Sequence, residues 1–423
     1  MYHKILLPSS IKVVTHGIKD RDSIAVGIWI DVGGRYENRK NKGVAHFLEH
    51  ILFKGSQKYS CTAIKELIEG VGGALNAFTS EEQTCYFAKI PTKHLPRTFD
   101  ILSDMVLNPL ITKKDVDKEK GVILEEIKMY HDLPQHLVMD LLDELTWPNH
   151  PLGSRLSGTI ESVSSLSHED LYQFHRQHYV PGNVVVAACG NLRHQSLIQL
   201  MEKKWKKADP REKINCLPAV NIQSKPQAKF FHKEIEQMHL ALGMFCYDNQ
   251  HKDRFVLYLL NVILGGNMSS RLFNEVREKR SLAYSIGSWT KILADTGMLV
   301  VRAGVDNKKV VDAIEVILKE LKKIKDNGVT QDELTRAKDY YLGQVLLGLE
   351  DTLDHMLWIG ESTISRDKIM TLEALVQETK KIRLADIKRV ANELIKEQQF
   401  NLSIVGPLTA GQEKDINRLL GIR

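Results

Sequence analysis

Apolar and polar residues alternate through residues 5–18 and again through 23–32, with Pro, Gly and Asp punctuating the runs. A period of two predicts antiparallel strands. The period then changes. Residues 44–54 are largely apolar and contain neither Gly nor Pro, which predicts a buried helix. A second helix is predicted over 62–70. Residues 73–90 read as two strands parted at Ser80-Glu81-Glu82, and 113–145 as a long helical region interrupted near Pro134. A helix over 167–178 and a strand over 183–189 complete the first half.

The second half repeats this order. Ile24-Ala25-Val26-Gly27-Ile28-Trp29 corresponds to Leu240-Ala241-Leu242-Gly243-Met244-Phe245 at an offset of 216 residues. Asp170 to Leu192 corresponds to Asp386 to Leu408 at the same offset of 216. Two distant segments sharing one offset identify a tandem duplication. The expected fold is α+β: two similar α/β-sandwich domains, each an antiparallel-rich sheet flanked by helices, over 1–205 and 230–423. Residues 206–229 are charged, carry Pro210, Pro218 and Pro226, and show no period, so they read as the linker.

Inside the first predicted helix lies His46-Phe47-Leu48-Glu49-His50. Residues four apart share a helix face, so His46 and His50 can converge on one metal ion, with Glu49 close by. Burying two histidines and a glutamate in so apolar a helix is costly unless they are paired or bound to a metal. The duplication provides an internal control. Aligned on this helix, the second copy places Leu257 opposite His46, Leu260 opposite Glu49 and Asn261 opposite His50. The fold therefore does not require His, Glu and His here, and the expectation is that one copy carries chemistry that the other lacks.

A catalytic zinc needs a third protein ligand, with a further position left open. The predicted helix around 115–129 offers Glu119, Glu125 and Glu126. Glu119 and Glu126 are seven apart and share a face, which Val122 and Ile123 mark as buried, whereas Glu125 points elsewhere.

At this point the sequence resembles the pitrilysin/insulinase family of zinc peptidases, and within it the processing-peptidase branch that includes the mitochondrial processing peptidase β subunit. The resemblance rests on His-x-x-Glu-His, on a separation of 76 residues from His50 to Glu126, and on Glu119 seven residues before that. It extends to Asn76-Ala77-Phe78-Thr79, to Tyr179-Val180-Pro181-Gly182-Asn183 and to the duplication. It implies one Zn²⁺ per chain held by His46, His50 and Glu126, Glu49 as general base, and Glu119 orienting a ligand. It further implies that Asn76, Ala77 and Phe78 lie on an edge strand that binds substrate. Arg277 and Tyr284, seven apart, match the family's element that holds the substrate backbone and stabilises charge on the reacting carbonyl. Gly265-Gly266-Asn267-Met268 stands where the processing peptidase α subunit has a much richer glycine loop. Larger family members carry four such domains, so a two-domain chain is expected to close its chamber as a homodimer. The alternatives are a subunit of a heterodimeric peptide-maturation complex and a non-catalytic scaffold; the intact His46, Glu49, His50 and Glu126 set opposes the scaffold.

Composition narrows the partners. Apolar residues make up 43% and charged residues 26%, as in an ordinary globular protein, and the formal net charge is only +5. With no dense basic run, nucleic acid is not an expected partner. No apolar segment is long enough to span a bilayer, so no membrane is expected either. The five cysteines are odd in number, scattered and never in Cys-x-x-Cys, which suggests free thiols in a reducing compartment. With no secretory or transit signal legible near residue 1, the expected location is cytoplasmic.

Overall fold

The computed structural model describes residues 2–205 and 214–422, so 206–213 of the expected linker lie outside the described residues. The chain forms two compact units. The first comprises Met1–Lys128, Ser154–Leu217 and Leu347–Ile369; the second comprises Met129–Gly153, Pro218–Leu346 and Met370–Arg423. Each is built on one sheet packed with helices, the α+β architecture that the periodicities predict.

The first unit's sheet contains β1 (Tyr2–Leu6), β2 (Lys12–Gly17), β3 (Ser23–Ile30), β4 (Ala74–Thr79), β5 (Thr84–Pro91) and β6 (Val184–Gly190), in the order β1-β2-β6-β3-β5-β4. The run 5–18 is thus two strands, not one. A turn at residues 7–11, with Ser10 at φ 68°, folds β1 back antiparallel on β2. Within the sheet β2 and β6 run parallel, while β3 pairs antiparallel with both β5 and β6. The second unit's sheet contains β7 (Gln227–Phe231), β8 (Gln237–Phe245), β9 (Ala283–Ile292), β10 (Gly297–Asp306) and β11 (Asn401–Val405), in the order β7-β11-β8-β10-β9. It repeats the first sheet strand for strand from β2 onward, including the parallel pair of β7 with β11. The central strands β3 and β8 are the segments related by the 216-residue offset.

Alternation along β3 divides its side chains between two cores. Ile24, Val26, Ile28 and Ile30 face a core built with the helices Val44–Leu52, Leu95–Leu107 and His168–His178. Ala25 and Trp29 face the opposite way, against Met356 and Ile359 of the helix Thr352–Arg366. On β8, Leu240, Leu242 and Met244 likewise face one core, and Ala241 and Phe245 face Leu137, Val138, Leu141 and Leu142 of the helix Pro134–Thr146. These two helices are exchanged with respect to sequence. The helix contributed by the first half covers the second unit's sheet, and the helix from the second half covers the first unit's sheet. Close approach explains the matched glycines of the two central strands. A Cβ on Gly27 would lie 2.8 Å from Met356 Sδ, and one on Gly243 would lie 3.2 Å from Leu142 Cδ1. The elements expected over 23–32, 44–54, 62–70, 73–90, 167–178 and 183–189 form within a few residues of those bounds, whereas the core helix Leu95–Leu107 is an addition. Pro134 separates the helix Lys113–Asp132 from Pro134–Thr146, as a proline at the first helical position should.

Candidate active site

The helix Val44–Leu52 buries Val44, Ala45, Phe47, Leu48, Ile51 and Leu52 in the first unit's core. That stripe turns His46, Glu49 and His50 outward. The helix Lys113–Asp132 supplies the third group. Ile123 and Ile127 are buried, Val122 is half-exposed against expectation, and Glu126 lies beside the two histidines. His46 Nε2 is 3.8 Å from Glu126 Oε1, and His50 Nε2 is 3.5 Å from Glu126 Oε2. One ligand atom from each of the three residues lies within 4.8 Å of the others. Tetrahedral zinc with bonds of about 2.0–2.1 Å sets its ligand atoms roughly 3.4 Å apart, so this donor set fits zinc with only small shifts. Glu125 points to solvent and pairs with Lys128 at 2.7 Å.

The surroundings match the needs of a ligand set. Burial, with help from the neighbouring His50, pushes the His46 imidazole down to about 4, so it is neutral and can donate a lone pair. Burial alone would also lower His50, but the hydrogen bond to Glu119 and the nearby carboxylates outweigh it and raise it. Glu119 is almost fully buried. Its Oε1 lies 3.0 Å from His50 Nδ1, which fixes the tautomer with the proton on Nδ1 and directs Nε2 at the metal position. Its Oε2 pairs with Lys54 Nζ at 2.5 Å. Burial would raise Glu119, but His50 and Lys54 reverse that and hold it below the usual carboxylate range.

Glu49 sits on the same helix with burial raising its pKa, while the hydroxyl of Thr79 donates to its Oε2 at 2.5 Å and partly offsets the shift. Thr79 closes β4, the edge strand of the sheet. Asn76, Ala77 and Phe78 lie on that strand. Asn76 is exposed, and its Oδ1 accepts the Ala77 N–H at 2.8 Å. The ring of Phe78 packs edge-on to Trp29, 5.4 Å between centroids, so its side chain belongs to the core covered by Thr352–Arg366. Sequence reasoning does not single out Lys54 as a site residue, and Thr79 enters only as the end of the Asn76–Thr79 motif, with no role of its own. Lys54 is four residues beyond His50, and that spacing was the only local signal for it.

In the second unit Leu257 and Leu260 are fully buried, and Asn261 accepts the Ser288 hydroxyl at 2.7 Å. The positions aligned with the metal set therefore serve packing and a structural hydrogen bond. The matching family profiles repeat this division. Residues 12–160 match the insulinase, peptidase M16, profile, and residues 165–341 match the peptidase M16 inactive domain. An uncharacterized zinc protease of Streptomyces coelicolor is 36% identical over 98% of this chain and 90% of its own length. The chain belongs to the M16 insulinase family and is a zinc protease.

Another uncharacterized zinc protease, from Bacillus subtilis, is 34% identical to the M16 chain over 96% of it and 98% of the relative. A protease from Helicobacter pylori has the same fold, with a TM-score of 0.91 at 23% identity, over 96% of this chain and 99% of that one. Arg277 and Tyr284 occur together in the second unit, where the guanidinium carbon is 5.8 Å from the tyrosine ring centroid. Arg277 lies on a π-helical turn, Phe273–Glu278, and Tyr284 near the start of β9 is 73% exposed. Both line a cavity of about 560 Å³ with Glu236, Ser281, Asp306 and Lys309. Among the described residues no helix is long and apolar enough to cross a membrane.

Proposed function

We propose that this chain is an endopeptidase of the processing-peptidase kind that cuts extended or unfolded peptides, with Glu49 as general base. The observation that carries the reading is the convergence of His46, His50 and Glu126 next to a Glu49 that is itself held by the end of an edge strand. Bound by those three residues, zinc would supply Lewis acidity, acidifying a water and polarising the scissile carbonyl. Glu49 accepts the proton of the attacking water and returns it to the leaving amine. Thr79 occupies Oε2 and leaves Oε1 for that transfer. Glu119, backed by Lys54, keeps His50 in the ligating tautomer.

The substrate adds as a strand to β4, through main-chain hydrogen bonds that read extension rather than sequence. The Ala77 N–H, held by Asn76 Oδ1 in the free protein, is a bond that a peptide carbonyl replaces. Phe78 contributes its backbone to the strand while its ring anchors the strand from behind. Arg277 and Tyr284 hold the substrate backbone and stabilise charge developing on the carbonyl oxygen. The active form is a homodimer in which this pair serves the partner's metal site, since a two-fold assembly makes two equivalent chambers from one chain. Among the described residues no disulfide joins the five cysteines, which supports a reducing, cytoplasmic setting.

Zinc stoichiometry and peptide cleavage, measured for wild type and Glu49→Gln, test the chemistry. Zinc retained with cleavage lost is the expected result, and cleavage undiminished in the variant would refute it. Mixing Glu49→Gln chains with Tyr284→Phe chains tests the assembly. Activity returns if the pair acts across the dimer, and no recovery despite proven subunit exchange would sink that part.

A further inference from the structure

The helix that carries both histidines has no cap of its own. Its N-cap is Gly43, at φ 87°, a left-handed conformation that disfavours any residue with a side chain. Space forbids one as well, because a Cβ on Gly43 would lie 2.8 Å from Ser157 O and 3.0 Å from Gly158 Cα. The helix starts with unpaired N–H groups, and nothing at Gly43 can satisfy them. Glu37, six residues upstream and only 6% exposed, does so. Its Oε2 accepts the Gly43 N–H at 2.8 Å, and its Oε1 accepts the Ala45 N–H at 2.9 Å. One carboxylate thus pins the residue before the helix and the second residue within it. His46 follows directly.

The two histidines differ in what else holds them. His50 Nδ1 is held by Glu119. His46 Nδ1 is buried and has no hydrogen-bond partner among the described residues. A ligating imidazole normally has its second nitrogen fixed by a carboxylate, a carbonyl or water. With no protein group on that second nitrogen, the protein sets the direction of the His46 ring through the register of the first helical turn and through packing. The register is what Glu37 fixes.

We infer that Glu37 is the positioning residue for His46, doing through the backbone what Glu119 does for His50 through the ring. The inference rests on the reading of His46, His50 and Glu126 as the zinc ligands. It distinguishes the two arms of the site. Perturbing Glu37 should weaken zinc binding only where His46 is present to bind, while perturbing Glu119 acts on the His50 arm.

The test is a zinc competition titration against a chromophoric chelator, on the full chain, for Glu37→Gln in three backgrounds: wild type, Glu119→Gln and His46→Ala. Glutamine keeps the volume but can accept only one of the two N–H groups and opposes the other with its own amide. Expected is a zinc Kd weakened about tenfold in the wild-type and Glu119→Gln backgrounds, and within about twofold of its parent in His46→Ala. An equal loss in all three backgrounds would show a general structural effect and overturn the inference, as would no loss in any. Wild type that takes no zinc would instead fail the metal reading itself. Melting of the metal-free proteins checks the fold; if Glu37→Gln does not fold, Glu37→Asp, which keeps both carboxyl oxygens and withdraws them by one methylene, is read in the same way. The Co²⁺-substituted protein adds an independent readout, because a displaced His46 changes the ligand-field bands whereas a lowered global stability leaves them alone.

Discussion

Thr79→Val removes one hydrogen bond from the general base and almost nothing else, since valine matches threonine in shape. The hydroxyl donates to Glu49 Oε2 at 2.5 Å, and the bond favours the ionised carboxylate against a burial that disfavours it. A hydrogen bond to a charged group contributes about 1.5–3 kcal/mol net. Some of that is recovered by water in a partly buried site, so the low end, about 1.5 kcal/mol, is the appropriate figure. The sign follows. Glu49 must be ionised to accept a proton, so activity falls as pH drops through its pKa. Loss of the Thr79 bond destabilises the ionised form and moves this acid limb to higher pH. At a fixed pH on the limb, about 1.5 kcal/mol corresponds to roughly a tenfold lower kcat/KM. On the plateau above it, where Glu49 is ionised in both proteins, the variants should agree within about threefold. The assay is kcat/KM for an extended quenched-fluorescent peptide across the acid and neutral range, with zinc content measured at each pH. A uniform loss at every pH, or an unmoved acid limb with zinc retained, would refute the assignment of Thr79 as the group that tunes Glu49.

His46→Ala, His50→Ala and Glu126→Gln should each weaken zinc binding by at least about tenfold, whereas Glu125→Gln should leave it unchanged; a chelator titration reads both. Lys54→Met should weaken zinc binding in the wild type but not in Glu119→Gln, because Lys54 reaches the site only through Glu119; an undiminished effect in the double variant would contradict the relay. Gly360→Ala should destabilise the first unit by about 1–3 kcal/mol, because the new methyl would meet the buried Trp29 ring at 2.2 Å. Gly121→Ala, with nothing within 4 Å, should stabilise the helix Lys113–Asp132 by up to about 1 kcal/mol; urea unfolding compares the two.

The part of the site legible in the sequence is the part encoded by local geometry. His46 and His50 are four apart on a helix whose apolar stripe fixes which way they face, and the leucines of the second copy show that the fold does not need them. The helix face leaves Glu119 and Glu126 as candidates, and Glu126 is singled out by its separation from His50, which no periodicity explains. The roles of Lys54, Thr79 and Glu37 were missed because each acts across a tertiary contact: lysine on a helix end, threonine on a strand and glutamate in a loop have bland local readings. The same limit applies to the fold. Periodicity predicts a helical region over 113–145 but not which sheet its second part covers, and the exchange with Thr352–Arg366 has no local signal. Residues 5–18 read as one strand because the turn at Ser10 carries no glycine, its positive φ being taken by serine. The parallel pairings of β2 with β6 and of β7 with β11 join segments far apart in the chain, beyond the reach of any local pattern.

The exchange of helices bears on how a duplicated gene can age. After duplication one copy is usually free to decay or be deleted, yet here neither half owns a complete fold. A gene cut between residues 205 and 230 would encode a first half without Thr352–Arg366 and a second half without Pro134–Thr146. Each product would present one bare apolar sheet face to water, with Trp29 on one and Phe245 on the other. The second copy can therefore carry leucine where the first carries histidine, but the chain cannot dispense with it. Selection on catalysis in the first copy holds the second in place through the helix that it lends.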